Sequence, residues 1–141
     1  MTTTDRTLAR LRPRPEAMFD QGMRSLIEMI QPGIPVDHRL YDRVPIPALF
    51  RLTPLDTRHG GPAGEAVVVV GKNLSQRGIG FFHYRPIPYR RAVIELDQPE
   101  LGRWAAEIDV QWCRFTQVGW YESGGRVVRV LDLDTPPAKA G

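Results

Sequence analysis

Residues 65–84 read EAVVVVGKNLSQRGIGFFHY, and this stretch decides the fold. A valine-rich run of strand length, 65–71, is followed by Asn73-Leu74-Ser75-Gln76-Arg77-Gly78 and then by a second strand-like run, 78–84. β-branched and aromatic side chains suit a pleated, half-buried surface, while Asn, Ser and Gly suit the turn between two such runs. Working outward, residues 46–53 form a further run with prolines at its start, as an edge strand permits. A Pro/Gly/Asp loop at 54–65 separates it from the valine run. Downstream, residues 91–96, 105–115, 118–121 and 126–133 read as strands, with Ser123-Gly124-Gly125 as a turn between the last two. Short strands at this spacing, with no helical pattern between them, predict a mainly β chain folded as an antiparallel barrel or sandwich.

Upstream the pattern changes. Phe19, Met23, Leu26, Ile27 and Ile30 recur at helical spacing behind Pro15, and Pro32-Gly33 stops the run, so a helix is predicted over 15–31. Gly22 weakens it by about 1 kcal/mol relative to alanine. Residues 1–14 read as a flexible tail, 135–141 as a disordered one, and 32–134 as the barrel domain with an extended, proline-bearing arm at its start.

With 141 residues, 42% of them hydrophobic and 25% charged, the chain has the size and composition of one soluble domain. Its longest apolar run, 66–70, is far short of a membrane span, and residues 1–14 carry no apolar segment of a secretion signal, which gives a cytoplasmic expectation. Cys113 is the sole cysteine, which excludes an internal disulfide and a thiolate metal cluster. His38, His59 and His83 have no metal-ligand spacing with it or with a carboxylate, so no metal and no cofactor is expected. The net charge is +3, and the basic excess sits in the middle third. Residues 44–95 carry 7 Lys and Arg against 3 Asp and Glu, and 17 of the 19 basic residues are arginine. Arginine's planar fork suits phosphates and guanine edges, although a coding bias toward arginine gives the same count.

Two short motifs carry the chemistry. Arg39-Leu40-Tyr41-Asp42-Arg43 gives an RxxxR spacing on the arm just before the first strand, and Asn73 to Gly78 gives an NxSxxG spacing just after the second. If those strands pair as an antiparallel hairpin around loop 54–65, residue 53 faces 66 and residue 44 faces 74. Both motifs then lie at one end of the barrel. Arg39 and Arg43 offer two guanidinium forks for phosphate oxygens and for the O6/N7 edge of guanine. Asn73 donates and accepts, Ser75 adds a hydroxyl, and Gly78 lets backbone amides approach a ligand. The set contains no nucleophile beside a base, so it describes a binding site and no enzyme is expected.

These motifs, in this order and between these strands, resemble the PilZ domain family. The resemblance covers roughly residues 37–133. It includes His38 to Pro45 as the arm and first strand, Asn73 to Phe82, and Val110 to Arg114 with Gly119 to Gly125 as a closing hairpin. It implies a six-stranded antiparallel barrel that binds the bacterial second messenger cyclic di-GMP, with Arg39, Arg43, Asn73, Ser75 and Gly78 as the ligand-binding positions. The motif pair is intact. The loop at 56–64 is extra material and lies at the opposite end by the register above. The expected partners are cyclic di-GMP and a downstream protein, with no membrane insertion and no nucleic acid.

Other readings stand beside these. An isolated RxxxR is more often a solvated arm, and Asn73 and Ser75 can close a turn through their own hydrogen bonds. Arg77 faces solvent or phosphate. Trp104, Trp112, Trp120 and Tyr121 build core and rim, or a base-stacking platform. Cys113 is read as strand packing. At the level of function, the alternatives to a messenger receptor are a ligand-free PilZ-like interaction module and a barrel that binds single-stranded nucleic acid.

Overall fold

The computed structural model describes residues 11–33 and 43–133. In chain order these form β1 (Leu11–Pro13), a 3-10 turn (Glu16–Met18), α1 (Phe19–Ile30), β2 (Val44–Pro45), β3 (Leu49–Pro54), β4 (Val67–Leu74), β5 (Gly78–His83), β6 (Arg91–Gln98), β7 (Gly102–Phe115) and β8 (Tyr121–Leu133). Six strands close into an antiparallel barrel in the order β8-β5-β4-β3-β6-β7, with β7 returning to pair β8. Two short strands are added to it, β1 on β8 and β2 on β4. The expected mainly β, six-stranded antiparallel barrel with an N-terminal helix is what forms.

Alternation sets which side chains go inside. Phe50, Leu52, Val69, Phe81, Ile94, Leu96, Trp104, Ile108 and Val127 are buried in one core, while Leu49, Arg51 and Val68 between them face outward. The expected register is observed: Leu52 pairs with Val67 and Leu49 with Val70, and Val44 pairs with Leu74. The loop at 56–64 is accordingly at the far end from Val44 and Leu74. It is drawn together by a bridge between Leu55 and Pro62 and by Asp56, which accepts from the Arg58 and His59 amides.

Helix α1 packs on its own barrel. Its apolar stripe buries Phe19, Met23, Leu26 and Ile27, each side chain contributing about 1.5–3 kcal/mol of burial. Gly22 has a positive purpose here. A Cβ at that position would sit 2.8 Å from Cγ1 of Val130, and the Gly22 carbonyl accepts a 2.9 Å hydrogen bond from the Trp104 indole N–H. The glycine lets the helix backbone press onto β8, which repays the loss of helix propensity.

Four expectations need correction. Residues 11–13 are no loose tail but strand β1, registered on Leu131 to Leu133. The helical segment begins as a 3-10 turn at Glu16, and the α-helix proper spans Phe19–Ile30. Ser123-Gly124-Gly125 is no turn: these residues lie inside β8, which runs unbroken for 13 residues. The reversal occurs at 116–120, where Thr116 N–H donates to Trp120 O (2.7 Å) and Gly119 takes φ +89°. Cys113, finally, is exposed and does not pack in the strand. No helix among the described residues is long and apolar enough to cross a membrane.

The contact at Gly22 is testable. Gly22→Ala gains about 1 kcal/mol of helix propensity but crowds Val130, and overpacking typically costs about 1–3 kcal/mol. Denaturant unfolding should show net destabilisation. The same substitution made in a Val130→Ala background should be neutral or stabilising, a non-additivity expected of two groups in contact.

Candidate functional site

The turn after β4 is built by a bulge. Gly71 pairs with Phe81, but the register shifts at Lys72 so that Asn73 pairs with Gly80. Such a bulge re-aims the side chains that follow it. The Asn73 amide now lies across β5: its Oδ1 is 2.9 Å from the place a Cβ on Gly80 would occupy, so glycine at 80 leaves room for it. Ser75 N–H donates to Gly78 O at 3.0 Å and closes the turn. Ser75 Oγ stands 3.0 Å from where a Gly78 Cβ would be. Glycine at 78 thus leaves room for the serine hydroxyl to approach closely. The Val127 N–H donates to Arg77 O (2.8 Å) and ties the turn to β8.

Arg43 immediately precedes Val44, which pairs with Leu74, and Ser75 immediately follows Leu74. The antiparallel register thus sets Arg43 level with Ser75 at this barrel end. Arg43 is exposed and has φ +55°, in the left-handed region that a side chain with a Cβ seldom takes. The chain bends sharply there to enter β2. Of the five residues expected at the site, the structure brings Arg43, Asn73, Ser75 and Gly78 to one end. Arg39 lies outside the described residues.

Two further basic residues belong to this end. Arg77 stacks its guanidinium 3.9 Å from the centre of the Phe19 ring and forms a 2.5 Å ion pair with Glu16. It therefore anchors the turn to the start of α1. Arg126 is registered directly opposite Gly78 on β8 and is exposed. Sequence reasoning missed it because the supposed turn at 123–125 broke the strand that carries it. An unbroken β8 was the signal needed, and the glycine pair concealed it.

The bulge has its own support. Glu122 on β8 is buried and joins Lys72 to Arg114, whose Nε and terminal nitrogen lie 3.2 and 3.0 Å from its Oε1. The hydrogen bonds from Lys72 and, after them, Arg114 hold the Glu122 carboxyl below its ordinary value of 4.5, against the opposing effect of burial. Lys72 adjoins Asn73 in the chain, so this carboxylate fixes the strand from which the Asn73 side chain projects.

A serine–histidine pair also appears that the sequence did not suggest. His83 Nδ1–H donates to Arg85 O (2.6 Å), which leaves Nε2 to accept from Ser123 Oγ–H (2.7 Å). Burial lowers the His83 pKa below its ordinary 6.5 and keeps the ring neutral. Ser123 has no exposed surface, and the histidine is oriented by a backbone carbonyl, so the pair fastens β5 to β8. Elsewhere, an outer-face groove of about 570 Å³ lies over β3, β4 and β6, lined by Leu49, Arg51, Val67, Val68 and Glu95 among others. Burial raises the Glu95 carboxyl above its ordinary range. The groove contains none of the motif residues. Among the described residues no cluster of three or more His, Cys, Asp or Glu side chains is placed to hold a metal.

The pH dependence of the Glu122 cluster provides a check. A depressed carboxylate stabilises the fold above its unfolded value of 4.5, and that contribution disappears as pH falls through the lower folded value. Glu122→Gln should destabilise by about 1–3 kcal/mol at neutral pH. The gap from wild type, measured by unfolding at stepped pH, should close progressively in acid below 4.5.

No family model matches the chain, and no curated protein or solved structure does either.

Proposed function

We propose that this protein is a non-catalytic receptor of the PilZ type, binding cyclic di-GMP between the arginine arm and the turn after β4. One observation supports this reading above the others: Arg43, the last residue of the RxxxR motif, and the NxSxxG turn, about 30 residues apart in sequence, lie at a single barrel end through the pairing of β2 with β4. Neither motif is informative alone. In this reading they combine arginine forks with an amide, a hydroxyl and turn amides. That pairing suits a ligand with both phosphate oxygens and a guanine edge. Arg126 adds positive charge around the same end, whereas the charge of Arg77 is paired with Glu16.

In this reading Arg39 and Arg43 engage the ligand from the arm while Asn73, Ser75 and Gly78 engage it from the barrel. Fixing the arm costs about 1–2 kcal/mol of backbone entropy per residue, which the phosphate and guanine contacts must exceed. The arm leads back to α1 through Pro32-Gly33, so its ordering is the step that passes the signal to a downstream protein.

Calorimetric titration of the full chain tests this. Cyclic di-GMP should bind with a Kd in the micromolar range or tighter. Cyclic di-AMP should bind far more weakly, because adenine presents a donor amine where guanine has O6. Arg43→Ala removes charge-assisted hydrogen bonds worth about 1.5–3 kcal/mol, a roughly 10- to 100-fold rise in Kd, with little change in Tm because the side chain is exposed. Ser75→Ala should cost about 0.5–1.5 kcal/mol. Equal affinity for both cyclic dinucleotides would overturn the proposal. Absence of binding would favour a ligand-free interaction module, and sequence-tolerant, steeply salt-dependent oligonucleotide binding would favour a nucleic-acid barrel.

Hydrogen exchange should show slowed amides across 36–44 when cyclic di-GMP is added. Protection confined to 73–78 would exclude the arm from the response.

A further inference from the structure

We propose that residues 111–115 of β7 form a self-association edge, pairing antiparallel with the same segment of a second copy about a twofold axis at Cys113. The proposal is independent of the messenger reading and concerns the other end of the hairpin.

Strand β7 outruns its neighbour. β6 pairs with it from Gln98↔Gly102 to Arg91↔Asp109, and Val110 N–H donates to Arg90 O as the last such contact. On its other side β8 continues to Phe115↔Tyr121. Residues 112–115 thus have one edge paired to β8, Gln111 being the extra residue of a bulge, and among the described residues no strand occupies the other edge of 111–115. All five are exposed in succession, as expected of a ribbon that leaves the barrel body. Alternate N–H and C=O groups along that edge point outward and can template another strand.

Apart from the bulge at Gln111, the usual protections of an open edge are sparse here. The segment Gln111-Trp112-Cys113-Arg114-Phe115 has no proline and no lysine. Its single charge, Arg114, is bound to Glu122. Its rings continue into a surface around the hairpin end. There Phe115 packs edge-on against Tyr121 and Tyr84 against Trp120, and exposure reaches 80% at Val118, 69% at Tyr84 and 64% at Phe115. Together these side chains form an exposed apolar surface at the hairpin end.

The chemistry selects a strand as the occupant. A lipid surface would cover the rings but leave the outward amides without partners, at a cost of several kcal/mol each. A second strand satisfies both. It also selects this chain. Centred on Cys113, an antiparallel twofold pairing sets Trp112 against Arg114 of the second copy and Gln111 against Phe115. The Arg114 guanidinium already lies 5.7 Å from the Trp112 ring within one chain, so the pairing repeats across the axis a contact the segment makes internally. Centring on Arg114 would oppose two like charges, which is destabilising across a ladder. The twofold at Cys113 is the self-complementary register.

Sedimentation velocity of the full chain over a concentration series tests the proposal, with a short-span bismaleimide as a second reading. The mass should rise from 16.0 kDa toward twice that value. The bismaleimide should link Cys113 to Cys113, since residues directly opposite in a ladder have Cβ atoms about 4.5–5.5 Å apart. Cys113→Asp places two carboxylates face to face and should raise the dimer dissociation constant at least tenfold, while Cys113→Asn should leave it within a few fold. A Tm within a few degrees of wild type identifies a folded variant, and the wild-type crosslink stands whether or not the aspartate variant folds. A monomer at every concentration overturns the proposal. So does a dimer that resists Cys113→Asp and gives no Cys113 crosslink, or a monomer that floats with phosphatidylglycerol vesicles.

Discussion

The barrel closes because β8 can lie between β5 and β7 with no side chain at two positions. A Cβ at Gly124 would overlap the Trp112 indole, and one at Gly125 would overlap the Asp109 carbonyl. Both glycines pair on each side, with Gly80 and Ile79 of β5 and with Trp112 and Val110 of β7. Within the barrel body, closure removes the exposed edges an open six-stranded sheet would present, leaving the end of β7 unpaired on one side among the described residues. It also lets Ser123 reach His83 and Glu122 reach Lys72 and Arg114, two buried polar contacts that hold neighbouring strands in register. The arrangement at the other end, from the bulge at Lys72 to the turn at Ser75, depends on β5 being held between β4 and β8.

Those same glycines explain where the sequence was read correctly and where it was not. The hairpin of β3 and β4 was legible because hydrophobic alternation fixes which residues face inward, and a one-residue slip would expose Phe50, Leu52 and Val69 together. Its register, and with it the convergence of Arg43 on the turn of Ser75, followed from pattern alone. In contrast, Gly124 and Gly125 read as a turn because adjacent glycines usually supply backbone freedom. In β8 they supply the absence of a side chain, which depends on neighbours distant in sequence. Gly22 was misjudged for the same reason: local propensity counted against the helix, while the decisive contact is with Val130, over 100 residues away. β1 is three residues long and has no periodicity to announce it. Arg126 was hidden by the misplaced turn.

The candidate site shows the same division. Ser75, Gly78 and Asn73 announced themselves through spacing. The links that steady them, Glu122 through Lys72 and Glu16 with Phe19 through Arg77, are long-range pairings that no short window contains. The loop chemistry was local and legible, whereas its support comes from elsewhere in the chain.

The fit of Gly22 against Val130 also governs how α1 can move. A helix resting on β8 through bulky side chains could slide or roll by small steps, exchanging one rotamer packing for another. Here the backbone itself is seated on a valine and secured by the Trp104 indole, and rotation by one residue would bring Met23 or Gln21 to a place where even a methyl group crowds Val130. The N-terminal turn of the helix is tied to the barrel at a separate point, through Glu16 and Arg77.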